Sequence, residues 1–298
     1  MDPFSGEGEL LNITTAFYSH AYASVLSFDT TALSADNKRA AQILKYRAQI
    51  ALGQSSTVIS SLKQSQDAAS RSIVALAQNA AGNTESALET ATELAESDAE
   101  DAVVQICAGT VLAANASYPT AIELLSKHQG SLEAVALLVQ IHLLQNRTDL
   151  AVKEVAAAKR WAQDSLLINL AESWVNLREG GSEKYQSSFY VFEELAGTPG
   201  TTSPTALVGQ AVSEIHLGRV EEAEIALEQA VTMENADVQA YANNLVLASV
   251  LGRKGDIVQR LMQQLQEKDS DHALLRDLEE KSQAFDNAAA KYSAKVTA

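Results

Sequence analysis

Apolar residues recur along this chain at helical spacing, in groups that break at a turn residue. From Leu207 to Asn235 it reads LVGQAVSEIHLGRVEEAEIALEQAVTMEN. Leu207 and Ala211 precede Gly218, and Ala223, Leu227 and Ala230 follow it. Steps of three and four residues put each group on one face of an α-helix, and a glycine ends a helix cheaply because it accepts left-handed backbone. The stretch therefore predicts helix, tight turn, helix. Thirty-four residues later the template returns, with Tyr241, Leu245, Gly252, Ile257 and Leu261 in the places of Leu207, Ala211, Gly218, Ala223 and Leu227. Large residues early in the first helix and small ones where two helices must approach form the tetratricopeptide pattern.

Fainter copies run upstream. Seven turn positions, Gly53, Gly82, Ala116, Asn146, Gly180, Gly218 and Gly252, are spaced by 29, 34, 30, 34, 38 and 34 residues. The prediction is an all-α, right-handed α-α superhelix, a tetratricopeptide-like solenoid of about seven helix pairs with a C-terminal capping helix. One solenoid over 1–298 is expected: irregular repeats over 9–196, a Gly/Pro loop over 197–204, then regular repeats and the cap over 205–293. Residues 9–28 read as a single first helix, and Asn83 and Thr84 can cap the helix after Gly82. Gly109 takes a close-approach place. Pro119 can open a helix, and the loop GTPGTTSP reads as a decorated turn or a subdomain hinge. Trp161 is placed between repeats. The cap spans 270–293 and carries Leu274, Leu278, Phe285 and Tyr292.

Composition narrows the function. The chain carries 22 Lys and Arg against 38 Asp and Glu, a net charge of −16, and only 5% aromatic residues. Such a surface repels phosphate backbones and anionic lipid, so no direct contact with nucleic acid is expected and any membrane contact is indirect. The acidic start MDPFSGEGELL has no signal-peptide pattern, and no apolar run is long enough to span a bilayer. A reducing, cytosolic setting fits the single cysteine.

Candidate chemistry is sparse. No phosphate-binding glycine loop, nucleophile elbow or paired metal-ligand spacing occurs, so no catalytic residue, cofactor or metal is expected. Cys107 lies in VVQICAGTVLA and reads as a buried thiol. His20, His128, His142, His216 and His272 stand apart from one another and read as solvated or core-edge residues. Trp174 has two readings: a partner anchor facing the concave groove, or core.

The segments LLNITTAFYSHAYASVL, KYRAQIALGQ and above all WAQDSLLINLAESWVNLREGG followed by YQSSFYVFEEL, with the tail SDHALLRDLEEKSQAFDNAAAKY, resemble the epsilon-subunit family of coatomer, the COPI vesicle coat. The resemblance runs end to end. It implies a non-catalytic coat subunit in Golgi-to-ER retrograde and intra-Golgi transport, cytoplasmic and peripheral on Golgi membranes and COPI vesicles. It also implies binding to, and stabilisation of, the C-terminal region of the alpha subunit within the rest of the coatomer complex. Anchors would come from groove places on the first helix of each pair: Trp174 and Arg178, then Val208, Val212 and Ile215, then Ala242 and Val246. Two other readings remain. A generic tetratricopeptide scaffold or co-chaperone would need a basic clamp for a peptide carboxylate, and a hydrolase would need a histidine beside Cys107.

Overall fold

The structure is a computed structural model, and residues 6–233 and 236–292 are described. The first five residues of the acidic start, Glu234 and Asn235 at the end of the quoted repeat, and Ser293 at the end of the expected cap lie outside the described residues. Among the described residues the chain is helical, with no strand. The first pair is α1 (Gly6–Tyr18) and α2 (Tyr22–Ser27), followed by α3 (Ala35–Ala51) with α4 (Ser55–Leu62) and α5 (Ala68–Ala80) with α6 (Thr84–Ser97). Next come α7 (Ala102–Ala114) with α8 (Tyr118–Leu125), and α9 (Leu132–Leu144) with α10 (Thr148–Lys159). The last three pairs are α11 (Leu166–Glu179) with α12 (Ser182–Gly197), α13 (Pro204–Leu217) with α14 (Val220–Thr232), and α15 (Val238–Val250) with α16 (Gly255–Lys268). Helix α17 (Ala273–Ala289) closes the array.

All seven expected turn residues adopt positive φ, from 57° at Ala116 to 85° at Gly82. At six of them the following residue donates its N–H to a carbonyl five residues back, as in Ser117 to Leu112 and Arg219 to Glu214, both at 2.9 Å. This bond satisfies carbonyls that the end of a helix would leave bare. Gly180 departs from the pattern, because Gly181 is also left-handed. An eighth turn, which follows the common pattern, was not expected. His20 sits at φ 63°, and Ala21 donates to Ala16 at 2.9 Å. The stretch 9–28 is therefore two helices, and the array holds eight pairs among the described residues. A histidine in a glycine's place hid the first turn.

Burial follows the repeat. Val25, Val58, Ala87, Ala121, Ala151 and Ala223, each five residues past a turn, are completely buried. Leu207, Ala211, Leu227 and Ala230 of the quoted repeat are also core. At Gly109 an added Cβ would lie 3.1 Å from Leu125, so a close-approach residue stands there as expected.

Ala116 is the one turn alanine, and L-residues other than glycine pay about 1 kcal/mol in left-handed backbone. Ala116→Gly should raise stability by about 0.5 kcal/mol after the glycine's greater freedom in the unfolded chain is set against that relief. Urea unfolding would show it as a higher midpoint at constant slope, and a lower midpoint would contradict the strain argument.

Three local expectations change, and the loop takes one of its two expected forms. Asn83 occupies the N-cap position of α6, but its side chain makes no capping bond, because the preceding turn already fixes the entry backbone. Side-chain caps fall instead on the first helices of pairs: Asp67, Asp101, Ser131, Ser203 and Asp237. Residues 198–203 form a compact turn in which Thr201 Oγ1 donates to Leu195 O at 2.9 Å and Thr202 Oγ1 to Ala196 O at 2.9 Å. These bonds are those of a decorated turn. Trp161 lies past the end of α10 and is 53% exposed, so it does not pack between repeats. Of the cap's expected apolar residues only Leu274 packs on the core, whereas Leu278, Phe285 and Tyr292 are exposed.

Candidate functional site

The first helices of successive pairs share one inner space. A cavity of about 320 Å³ is lined by Phe17 from α1, Arg47 from α3, Thr110 from α7, Glu133 and Gln140 from α9, and Leu170 and Trp174 from α11. Into it the array folds its own beginning. Arg47 and Glu133, 86 residues apart in sequence, form a bidentate ion pair, one arm of which measures 3.1 Å. Their side chains are only 13% and 22% exposed. The Arg47 guanidinium also covers the Phe17 ring at 4.6 Å, and Tyr18 donates its hydroxyl to Glu133 at 3.4 Å. Burial and the neighbouring carboxylate both push the Tyr18 phenol up, so it stays a donor.

The turn after α1 reaches further. His20 Nδ1 lies 3.1 Å from Thr205 Oγ1 at the start of α13, and that hydroxyl donates to Asp237 at 3.3 Å. Asp237 in turn accepts from the N–H of Gln239 at the start of α15. A 185-residue separation between His20 and Thr205 is thus closed by one contact. Neither Arg47 nor Glu133 stood out in the sequence, because a lone pair of opposite charges among many carries no spacing signal, and His20 was read there only as a solvated or core-edge histidine.

Beyond this closure the inner face opens into a trough of about 730 Å³, lined by Leu143, Leu144, Trp174, Leu177, Arg178, Val212 and His216 among others. Three of the seven expected groove residues, Trp174, Arg178 and Val212, meet here. Trp174 is half-buried, and its ring packs on two core clusters as well as lining the trough. Arg178 donates to Asn146 Oδ1. Ile215 is half-buried against the core around α13 and α14, and Val246 is exposed. Val208 and Ala242, at 9% and 5% exposure, are core and present little surface. They face the neighbouring helices because burial there requires small or medium apolar residues.

The remaining candidate chemistry is accounted for structurally. Cys107 is fully buried beside Ile50, Val58 and Ile73, and burial pushes its thiol up to about 11, so it is a protonated core residue at neutral pH. His142 is buried in α9, deeper than the core-edge place expected for it. His128 Nδ1 accepts from the N–H groups of Gly130 and Ser131, and His272 Nδ1 from that of Leu274, while His216 stacks on Tyr185 at 4.5 Å. Among the described residues no group of three His, Cys, Asp or Glu side chains could hold a metal, and no helix is long and apolar enough to cross a membrane.

An array of helix pairs spaced near 34 residues, from 29 to 38, with left-handed turns and an apolar inner trough defines a tetratricopeptide-like scaffold. A tetratricopeptide repeat protein from Parabacteroides merdae superposes with a TM-score of 0.60 over 79% of this chain and 95% of its own, at 13% identity, a likeness of fold alone. The sequence model of the Coatomer epsilon subunit family matches residues 6–293. The probable coatomer subunit epsilon of Schizosaccharomyces pombe is 34% identical over 253 residues, 84% of each chain. Coatomer subunit epsilon-2 of Oryza sativa subsp. japonica is 30% identical over 292 residues, 94% of this chain and 95% of its own. The chain belongs to the coatomer epsilon subunit family.

Proposed function

We propose that this chain is a non-catalytic structural subunit of the COPI coat that binds and stabilises the C-terminal region of the alpha subunit through its inner trough. It would work in Golgi-to-ER retrograde and intra-Golgi transport, and would reach Golgi membranes and vesicles only through the assembled coat. Family membership over residues 6–293 makes it a coatomer component. The observation supporting the docking site is the open apolar trough around Trp174 and Val212. An apolar wall of this kind suits burial of an extended or hairpin segment, with Trp174 as the rigid anchor. The residues that retain surface for this role are Trp174, Arg178, Val212, Ile215 and Val246.

The co-chaperone reading fits the trough less well. A carboxylate clamp needs several free cations, whereas Arg178 is the one Lys or Arg in the lining and its guanidinium is bonded to Asn146.

Copurification of the full chain with the alpha C-terminal region tests the site. Placing charges at both Val212→Asp and Val246→Asp should weaken the complex by about tenfold or more while the helical circular dichroism is unchanged, since charge in a desolvated apolar contact costs more than 1.4 kcal/mol. Undiminished binding by the double variant would remove the trough as the docking site.

A further inference from the structure

The outer side of α13 carries a second cavity that the trough leaves unused. Successive residues of an α-helix turn by about 100°, so Gln210 and Glu214 lie on one side of α13 while Val212 and His216 lie on the other. The latter pair lines the trough; the former lines a cavity of about 510 Å³ between α12, α13 and α14. Phe189, Leu207 and Ala226 form its apolar wall, and Ile225 is an exposed rim. Three carboxylates reach it from three helices: Glu193 from α12, Glu214 from α13 and Glu222 from α14.

Glu214 sets this cavity apart from an ordinary acidic surface. It is 3% exposed; Oε1 accepts from Gln210 Nε2 at 2.9 Å, and no protein group hydrogen-bonds the buried Oε2. A carboxylate held away from water with an idle oxygen is destabilising unless something supplies a donor. Burial raises its pKa, the Gln210 bond opposes that, and the negative charge of Glu222 adds to it. The nearest cation is committed elsewhere: Arg219 donates to Gln186 at 2.6 Å and covers the Phe189 ring at 5.0 Å. Three carboxylates against one guanidinium leave the lining at a formal charge of −2.

We propose that this cavity receives a lysine or arginine side chain of a partner polypeptide, its aliphatic stem against Ile225 and Phe189 and its charged end among Glu193, Glu214 and Glu222. A cationic donor completes the hydrogen bonding of Glu214 and relieves the repulsion among the three carboxylates, and hydrogen bonds between ionised partners are the strong ones. The long stem of a basic residue covers apolar surface while its head stays polar. Because the cavity is on the opposite side of α13 from the trough, its occupancy is independent of the docking site proposed above.

The test is a chemical-shift titration of the isotopically labelled full chain with N-acetyl-lysine methylamide and N-acetyl-arginine methylamide, with N-acetyl-norleucine methylamide as the neutral control. The expected result is saturable shifts confined to α12–α14 around Phe189, Glu214 and Ile225 for at least one cation and none for the neutral control. Glu214→Gln preserves shape and should weaken that binding by about tenfold, the loss of one charge-assisted bond. The rim variant Glu193→Gln with Glu222→Gln lies on exposed positions, should weaken binding several-fold, and decides the question if Glu214→Gln fails to fold. Shifts scattered over the whole acidic surface, an affinity unchanged in the rim variant, or no saturable response to either cation would overturn the proposal.

Discussion

Glu133→Ala is expected to destabilise the protein by about 3 kcal/mol, since removing one member of a largely buried ion pair strands the other. Arg47 would lose both of its carboxylate contacts while still held over the Phe17 ring, and Tyr18 would lose its acceptor. The loss should concentrate at the beginning of the chain. Amide exchange in α1 and α2 should quicken well beyond that in α5 to α8, most of whose apolar core lies away from the pair. Replacing both partners with apolar residues, Arg47→Met with Glu133→Leu, should recover most of the stability, because it is the uncompensated charge that is costly. Urea unfolding of the three proteins provides the check. A loss below about 1 kcal/mol in Glu133→Ala would place the pair with ordinary surface salt bridges.

Gly209→Ala is the second large effect, and its sign runs against helix propensity. Alanine in a helix interior is normally favoured over glycine by about 1 kcal/mol. At this position the new Cβ would stand 2.5 Å from Cδ1 of Phe192 and 2.7 Å from its Cγ. The ring is buried among Leu170, Leu195 and Ala206, so it cannot swing aside without disturbing α11 to α13. A net loss of about 2–3 kcal/mol follows from overpacking. Gly109→Ala meets only the branched end of Leu125, at 3.1 Å, and should cost less. Shrinking the obstacle, Phe192→Leu, should make the Gly209→Ala change easier to bear than it is in the parent. Thermal or urea midpoints at 209 that equal or exceed the parent's would show that α12 and α13 have room to separate.

Both effects arise at places the repeat pattern does not reveal. Gly209 falls inside α13 between the template positions Leu207 and Ala211, and nothing in its neighbours distinguishes it from any helix glycine. Its necessity comes from Phe192, which lies on the far side of the loop at 198–203. Glu133 is one of 38 acidic residues, and its partner is 86 positions earlier.

Seven of the eight turns were legible because a left-handed residue at the end of a helix restricts the amino acid locally: Gly, Asn and small Ala are recognisable when they recur every 29 to 38 residues. The buried small residues five places on were legible for the same reason, since close helix packing admits few side chains. These local rules determined the all-helical solenoid, the positions of its pairs and most of its core. The turn at His20 escaped them because histidine is not a residue type that marks a left-handed turn; its ring is stacked on the neighbouring Tyr22 and meets Thr205 from 185 residues away. How far the array curls was likewise beyond the sequence. Small changes in packing angle at each pair accumulate along a solenoid, and only the folded chain shows α1 seated on the inner face of α9 and α11, leaving a trough at Trp174 and burying Val208 and Ala242. Local backbone chemistry wrote the repeats, and long-range packing between them decided which of their residues remain available to a partner.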